Sequence, residues 1–132
     1  MTLHSVLYVD DDPDVRAVAA LALQRDGELR VTTCGSGAEA IELARRAPPD
    51  LIILDYLMPE LDGADTLVRL RVQHETQDVP VIFVTTIGIC DDITRFAAMG
   101  LLGIIEKPFG LSKLLGQVRE LWRRRGGAAQ SA

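Results

Sequence analysis

Short runs of consecutive apolar residues alternate along this chain with stretches whose apolar positions return every three or four residues. The first pattern marks strands buried on both faces, and the second marks helices with one buried side. Val6–Val9, Leu51–Leu54, Val79–Val84 and Leu102–Ile105 are the apolar runs. Leu29–Thr33 is a fifth and more polar run, suited to a sheet edge. Helices are predicted from Pro13 to about Arg25, with Val15, Val18, Ala19, Ala22 and Leu23 inward, and through Ala40, Ile41, Leu43 and Ala44 to Pro48-Pro49. A third helix opens at Asp62-Gly63, with Ala64, Leu67, Val68 and Leu70 inward and Arg69, Arg71 and Gln73 towards water. The last two span about Asp91 to Met99 and about Leu111 to Arg125. Pro13 and its acidic neighbours suit a helix start, and Gly27 a helix end. Gly126–Ala132 lacks periodicity and is expected to be a flexible tail behind a single domain of residues 1–125.

Strand and helix alternate five times, which calls for an α/β architecture: a doubly wound parallel sheet with helices on both faces and right-handed crossovers. In such a sheet the carboxyl ends of all strands share one edge, where open α/β folds bind their ligands. The residues that follow four of the five strands are polar: Asp10-Asp11-Asp12, Asp55, Thr85 and Lys107. Each alone has an ordinary explanation as a turn former, a strand-end threonine or a solvated lysine. Their convergence on one edge is the functional signal. Helix capping is enough to account for Asp12 and Asp14.

Composition narrows the field. The 132 residues carry 48% hydrophobic and 25% charged side chains, which suits one folded domain rather than a disordered chain. A net charge of -5 gives neither nucleic acid nor an anionic membrane an electrostatic reason to bind directly. No apolar run nears the roughly 20 residues of a membrane helix, and no basic-then-apolar leader opens the chain, so a cytoplasmic setting is expected. Cys34 and Cys90 lie far apart outside any CxxC pattern and are expected as free thiols.

Crowding Asp10, Asp11 and Asp55 into one pocket is unfavourable unless a cation sits among them. With no His or Cys nearby, a hard divalent ion such as Mg²⁺ fits better than zinc. Two acidic side chains, a backbone carbonyl near Leu57 and water would complete its shell. Lys107 would add an ammonium able to neutralise a carboxylate or hold a phosphate, and Thr85 a hydroxyl donor. The Lys107-Pro108 bond is of the kind that tolerates a cis peptide, which would turn the chain sharply and aim the lysine inward. A carboxylate, a cation, an ammonium and a hydroxyl together make a cradle for phosphoryl transfer, with the carboxylate as nucleophile.

Tyr8-Val-Asp10-Asp11-Asp12-Pro13, Leu54-Asp55-Tyr-Leu-Met58-Pro59, Val84-Thr85 and Glu106-Lys107-Pro108-Phe109 together resemble a response-regulator receiver domain, from about Leu3 to Arg125. The resemblance implies a flavodoxin-like five-stranded parallel sheet of order 2-1-3-4-5. It implies Asp55 as phosphoacceptor, Asp10 and Asp11 as arrangers of Mg²⁺, and Leu57 as donor of a backbone carbonyl to the metal. Thr85 and Lys107 would hold the phosphoryl group. The partner implied is a sensor histidine kinase or histidine phosphotransfer protein, in a two-component system or phosphorelay. Such a chain is not a classical enzyme, although it catalyses its own aspartyl phosphorylation and dephosphorylation. Three positions depart from the pattern: Ile104 stands where an aromatic residue is usual, Leu102-Gly103 where acidic residues are frequent, and Thr86 where a smaller residue is usual. If exposed together, Leu101 and Leu102 would form a face for self-association or for an output protein. Ile104 is expected to stay at least half buried, and removal of Lys107 to leave folding largely intact. Two other readings are weaker. An aspartate-nucleophile phosphatase would use the Asp10/Asp12 spacing, but it lacks chain for a cap domain and leaves Asp55 unexplained. A phosphorylation-independent interaction module would leave the whole polar set without a purpose.

Overall fold

The computed structural model describes residues 2–86 and 93–131. Five strands and five α-helices follow one another: β1 Ser5–Val9, α1 Pro13–Leu23, β2 Arg30–Cys34, α2 Gly37–Arg46, β3 Leu51–Asp55, α3 Gly63–Val72, β4 Val81–Thr85, α4 Ile93–Ala98, β5 Leu101–Glu106 and α5 Leu114–Ser131. A 3₁₀ turn, His74–Thr76, follows α3. All strands pair in parallel, in the order β2-β1-β3-β4-β5. This is the doubly wound sheet that the alternation of patterns predicts.

Burial follows position in the sheet. Every residue of β3 and β4 is buried, as expected of strands covered on both faces, while β2 at the edge alternates with water. Alternate side chains divide into two cores. Val6, Tyr8, Leu51, Ile53, Ile82, Val84 and Ile105 pack with α1 and α5 through Leu23, Leu114, Val118 and Trp122. Leu7, Val9, Ile52, Leu54, Val81 and Phe83 pack with α2, α3 and α4 through Ala40, Leu67, Leu70 and Phe96. At about 1.5–3 kcal/mol per fully buried large apolar side chain, these two layers are the main favourable term in folding.

Local signals start the first three helices where the chain pattern places them. Asp12, Ser36 and Asp62 are N-caps, accepting from the amides of Asp14 (2.9 Å), Glu39 (3.1 Å) and Asp65 (2.8 Å). α1 ends at Leu23, two residues before Arg25, and Gly27 takes the left-handed φ of 74° in the following turn. Asp50 fastens the start of β3 to that of β1: its carboxylate accepts from the amides of His4 (2.9 Å) and Ser5 (3.1 Å).

Several expectations need correction. Val18 and Val68 face water at 39% and 40% exposure, because each lies at the margin of its helix's apolar stripe. Arg71 does not face water. Its guanidinium donates to the carbonyls of Met99 (2.5 Å), Thr76 (2.9 Å) and Val79 (2.6 Å), which lie after α4, in the 3₁₀ turn and on the approach to β4. Gln73 likewise turns inward, donating to Ile41 O and Thr76 Oγ1. α5 is described from Leu114 to Ser131, through the segment after Arg125. The expected start of α4 at Asp91 and the thiol of Cys90 lie outside the described residues, and Cys34 is a free buried thiol.

β5 departs most from a simple reading. Val81 pairs with Leu101 but Ile82 with Gly103, so one extra residue is inserted opposite β4. Leu101 packs into the α2–α4 core and Leu102 against the α1/α5 core, since neighbouring residues of a strand face opposite sides. They cannot form one exposed docking face, and Leu101 is buried at 7% exposure. The insertion also shifts the phase of the rest of the strand. Ile104 joins the α2–α4 side, mostly buried as expected, and Ile105 the α1/α5 side.

Candidate functional site

The shift of phase in β5 brings the site together. Ile105 faces the α1/α5 layer, so Lys107, two residues on, emerges on the side where Asp10 follows Tyr8 and Asp55 follows Ile53. The Lys107 ammonium lies 2.8 Å from Asp10 Oδ2 and 3.3 Å from Asp55 Oδ2. The Lys107 amide donates to Thr85 O (3.0 Å), extending the β4–β5 ladder by one residue, and the Lys107–Pro108 peptide is cis.

Asp10 is fully buried, its amide donating to Cys34 O (3.1 Å) as the last rung between β1 and β2. Its Oδ1 accepts from the Asp12 amide (3.0 Å), while its backbone carbonyl accepts from Arg16 Nη1 (2.7 Å). Asp11 is exposed at the rim, and one carboxylate oxygen each from Asp10, Asp11 and Asp55 lies within 4.8 Å of the others. Thr85 is buried at the end of β4, on the neighbouring strand to Asp55. Leu57, in the loop after β3, is 48% exposed. That loop is held from below by Gly63, whose amide donates to Tyr56 O (2.8 Å). A Cβ on Gly63 would come within 2.8 Å of the Tyr56 backbone, so only glycine lets α3 begin this close to the acidic pocket. Glu60 in the same loop adopts a left-handed φ of 65°.

The electrostatics are unbalanced. Three carboxylates face one ammonium, leaving an excess of two negative charges. Burial first, and the charge of Asp10 second, push the Asp55 carboxyl up to about 6 against the pull of Lys107. Burial opposes the charge on Lys107, but its bonds to Asp10 and the Asp55 charge prevail and hold it above the usual lysine range. Because Lys107 carries this pairing, its loss uncovers a buried carboxylate, and the expectation that folding tolerates its removal is revised. Tyr8, beneath the pocket, is held protonated by burial and by the Asp10 and Asp55 charges. Its hydroxyl lies close to Asp10 yet makes no hydrogen bond among the described residues.

The donor set suits a hard divalent cation: carboxylate oxygens only, with an excess of negative charge that such an ion would relieve. Pattern reading brought Asp10, Asp11, Asp55, Thr85 and Lys107 to this edge. It passed over Tyr8 and Arg16, which look like a strand residue and a solvated helix residue until the surroundings of Asp10 are seen. A groove with mainly apolar walls, including Val15, Val18, Pro108 and Phe109, opens beside Lys107. Among the described residues no helix is long and apolar enough to cross a membrane.

Comparison with known proteins agrees with the fold. The transcriptional regulatory protein PrrA of Mycobacterium tuberculosis is 39% identical over 132 residues, 100% of this chain and 55% of that protein. The DNA-binding dual master transcriptional regulator RpaA of Synechocystis is 33% identical over 127 residues, 96% of this chain and 52% of that protein. The chain thus spans about half the length of these relatives, and its acidic charge is no ground for excluding nucleic acid from a longer protein's reach. Among solved structures, the chemotaxis protein CheY4 of Vibrio cholerae superposes with a TM-score of 0.81 at 30% identity, covering 91% of this chain and 99% of that one. The Francisella response regulator 1452 receiver domain does so with 0.78 at 28% identity, covering 92% and 98%. The sequence profile of the response regulator receiver domain matches residues 6–119. With the profile, the relatives and the fold in agreement, the chain belongs to the response regulator receiver family of two-component signalling.

Proposed function

We propose that this chain is a phosphoacceptor switch in which Asp55 takes a phosphoryl group from a phosphohistidine on a sensor kinase or phosphotransfer protein. The observation that carries the reading is the junction of Lys107 with both Asp10 and Asp55, beside the acidic triad. In the transfer, an Asp55 Oδ forms a bond to phosphorus as the P–N bond breaks, and the imidazole leaves with the electron pair and regains a proton from water. Lys107 neutralises the oxygens of the incoming group as a point charge, and the Thr85 hydroxyl donates to one of them. Asp10, Asp11, Asp55 and the Leu57 carbonyl would hold Mg²⁺, which when bound offsets the negative charge of carboxylates and phosphoryl oxygens. The apolar groove beside Lys107 favours a protein donor, whose side chains could cover it, over a small phosphorylated metabolite.

The phosphorylated state would then bias two conformations, read by an output segment or by another protein. Ile104 has no polar tip to carry into water, so the switch would run through Thr85 and the segment after it without an aromatic side chain changing exposure. The domain proper would comprise residues 1–125. Incubation with acetyl phosphate and Mg²⁺, followed by mass spectrometry of peptides, tests the assignment. Label is expected on Asp55, lost with chelator and in Asp55→Asn; Mg²⁺-dependent label persisting on the variant would sink it.

A further inference from the structure

We propose that the Tyr8 hydroxyl is a positioning donor for Asp10, engaging that carboxylate when the pocket holds its divalent cation. The inference rests on the phosphoacceptor reading above and adds a residue to it. Tyr8 is fully buried, and its hydroxyl has no hydrogen-bond partner among the described residues. Enclosing a hydroxyl in this way is unfavourable, and phenylalanine of the same shape would not carry that cost. A buried orphan of this kind calls for a use of the oxygen in some other state of the protein.

Alternation along β1 puts Val6, Tyr8 and Asp10 on one face of the sheet, so the phenol lies directly under the acidic pocket. The edge-on contact with Phe109, 6.5 Å between ring centres, braces the ring against the segment that follows Lys107. Both Asp10 oxygens are engaged elsewhere in the structure: Oδ1 with the Asp12 amide and Oδ2 with Lys107. Asp10 would be shared between Lys107 and a bound cation only at a cost, because like charges repel at one carboxylate. A neutral donor approaching from beneath can then steady the carboxylate without adding positive charge. Tyr8 is the residue placed to do so, and groups behind a metal ligand commonly matter to affinity as this one would.

The test compares wild type with Tyr8→Phe by calorimetric titration with Mg²⁺, near-ultraviolet difference absorbance during that titration, and thermal melting in chelator. The expected result is Mg²⁺ binding weakened about tenfold in the variant. In chelator the variant should melt at the wild-type temperature or above it, since the hydroxyl it lacks was unpaired. Mg²⁺ should also perturb tyrosine absorbance in wild type and not in the variant; the chain has two tyrosines, so the loss assigns the signal to Tyr8. Equal Mg²⁺ affinities, a difference band that survives in Tyr8→Phe, or a variant less stable in chelator would each overturn the proposal. Failure of wild type itself to bind Mg²⁺ would overturn the phosphoacceptor reading, and this inference with it.

Discussion

Asp55 is a carboxylate placed where its own charge is disfavoured, and the consequences can be measured. Its carboxyl is pushed up to about 6 by burial and by Asp10, from an ordinary 3.8. Between those values the folded chain holds a proton that the unfolded chain releases, so this group's contribution to stability falls as pH rises through the window. Thermal melts in chelator should show that decline for wild type and a flatter profile for Asp55→Asn, with the variant more stable by roughly 1 kcal/mol near neutral pH. Mg²⁺ competes with the same proton, so its affinity should weaken about tenfold per unit as pH falls below the raised value, as calorimetry can check. Lys107→Ala acts in the opposite sense. It leaves the buried Asp10 without its ion pair and should cost roughly 2 kcal/mol in chelator, much of it restored by saturating Mg²⁺. A loss that Mg²⁺ does not repair would mean that Lys107 supports the fold by some route other than charge.

At the scale of elements, two contacts hold the helices that frame the site. Arg71 joins the end of α3 to the end of α4 and to the approach to β4 through three carbonyls. Arg71→Ala should lower stability by about 2–4 kcal/mol in denaturant titration, and lysine should restore little, since one ammonium cannot reproduce the fork. Full rescue by lysine would show that charge alone suffices. Gly63 sets how closely α3 approaches the loop carrying Leu57. Gly63→Ala forces backbone apart and should cost about 1–3 kcal/mol while weakening Mg²⁺ binding, because the displaced atoms adjoin Asp55. Stability lost with Mg²⁺ affinity intact would separate the packing of α3 from the geometry of the site.

For the whole molecule, the described packing of α5 comes from Leu114, Val118 and Trp122, before Arg125. Removing residues 126–132 should therefore leave stability within about 0.5 kcal/mol of the full chain in thermal melts and Mg²⁺ affinity unchanged. The sequence alone determined the order and type of the elements and which strand ends carry Asp10, Asp55, Thr85 and Lys107. Periodicity and turn chemistry are local properties, and parallel winding leaves little choice of edge. Caps at Asp12 and Asp62 were legible for the same reason. Tertiary structure decided what depends on partners distant along the chain. The extra residue in β5 arises from pairing with β4; it reverses the phase of Ile104 and Ile105 and turns Lys107 towards Asp10 and Asp55. Arg71 reads as a solvated helix residue until α4 and β4 bring their carbonyls to it. Tyr8 reads as one more apolar strand position, because its hydroxyl gains meaning only when the fold closes over it beside Asp10. A one-dimensional pattern specifies which face a residue prefers, whereas register and enclosure are settled by packing between segments far apart in sequence.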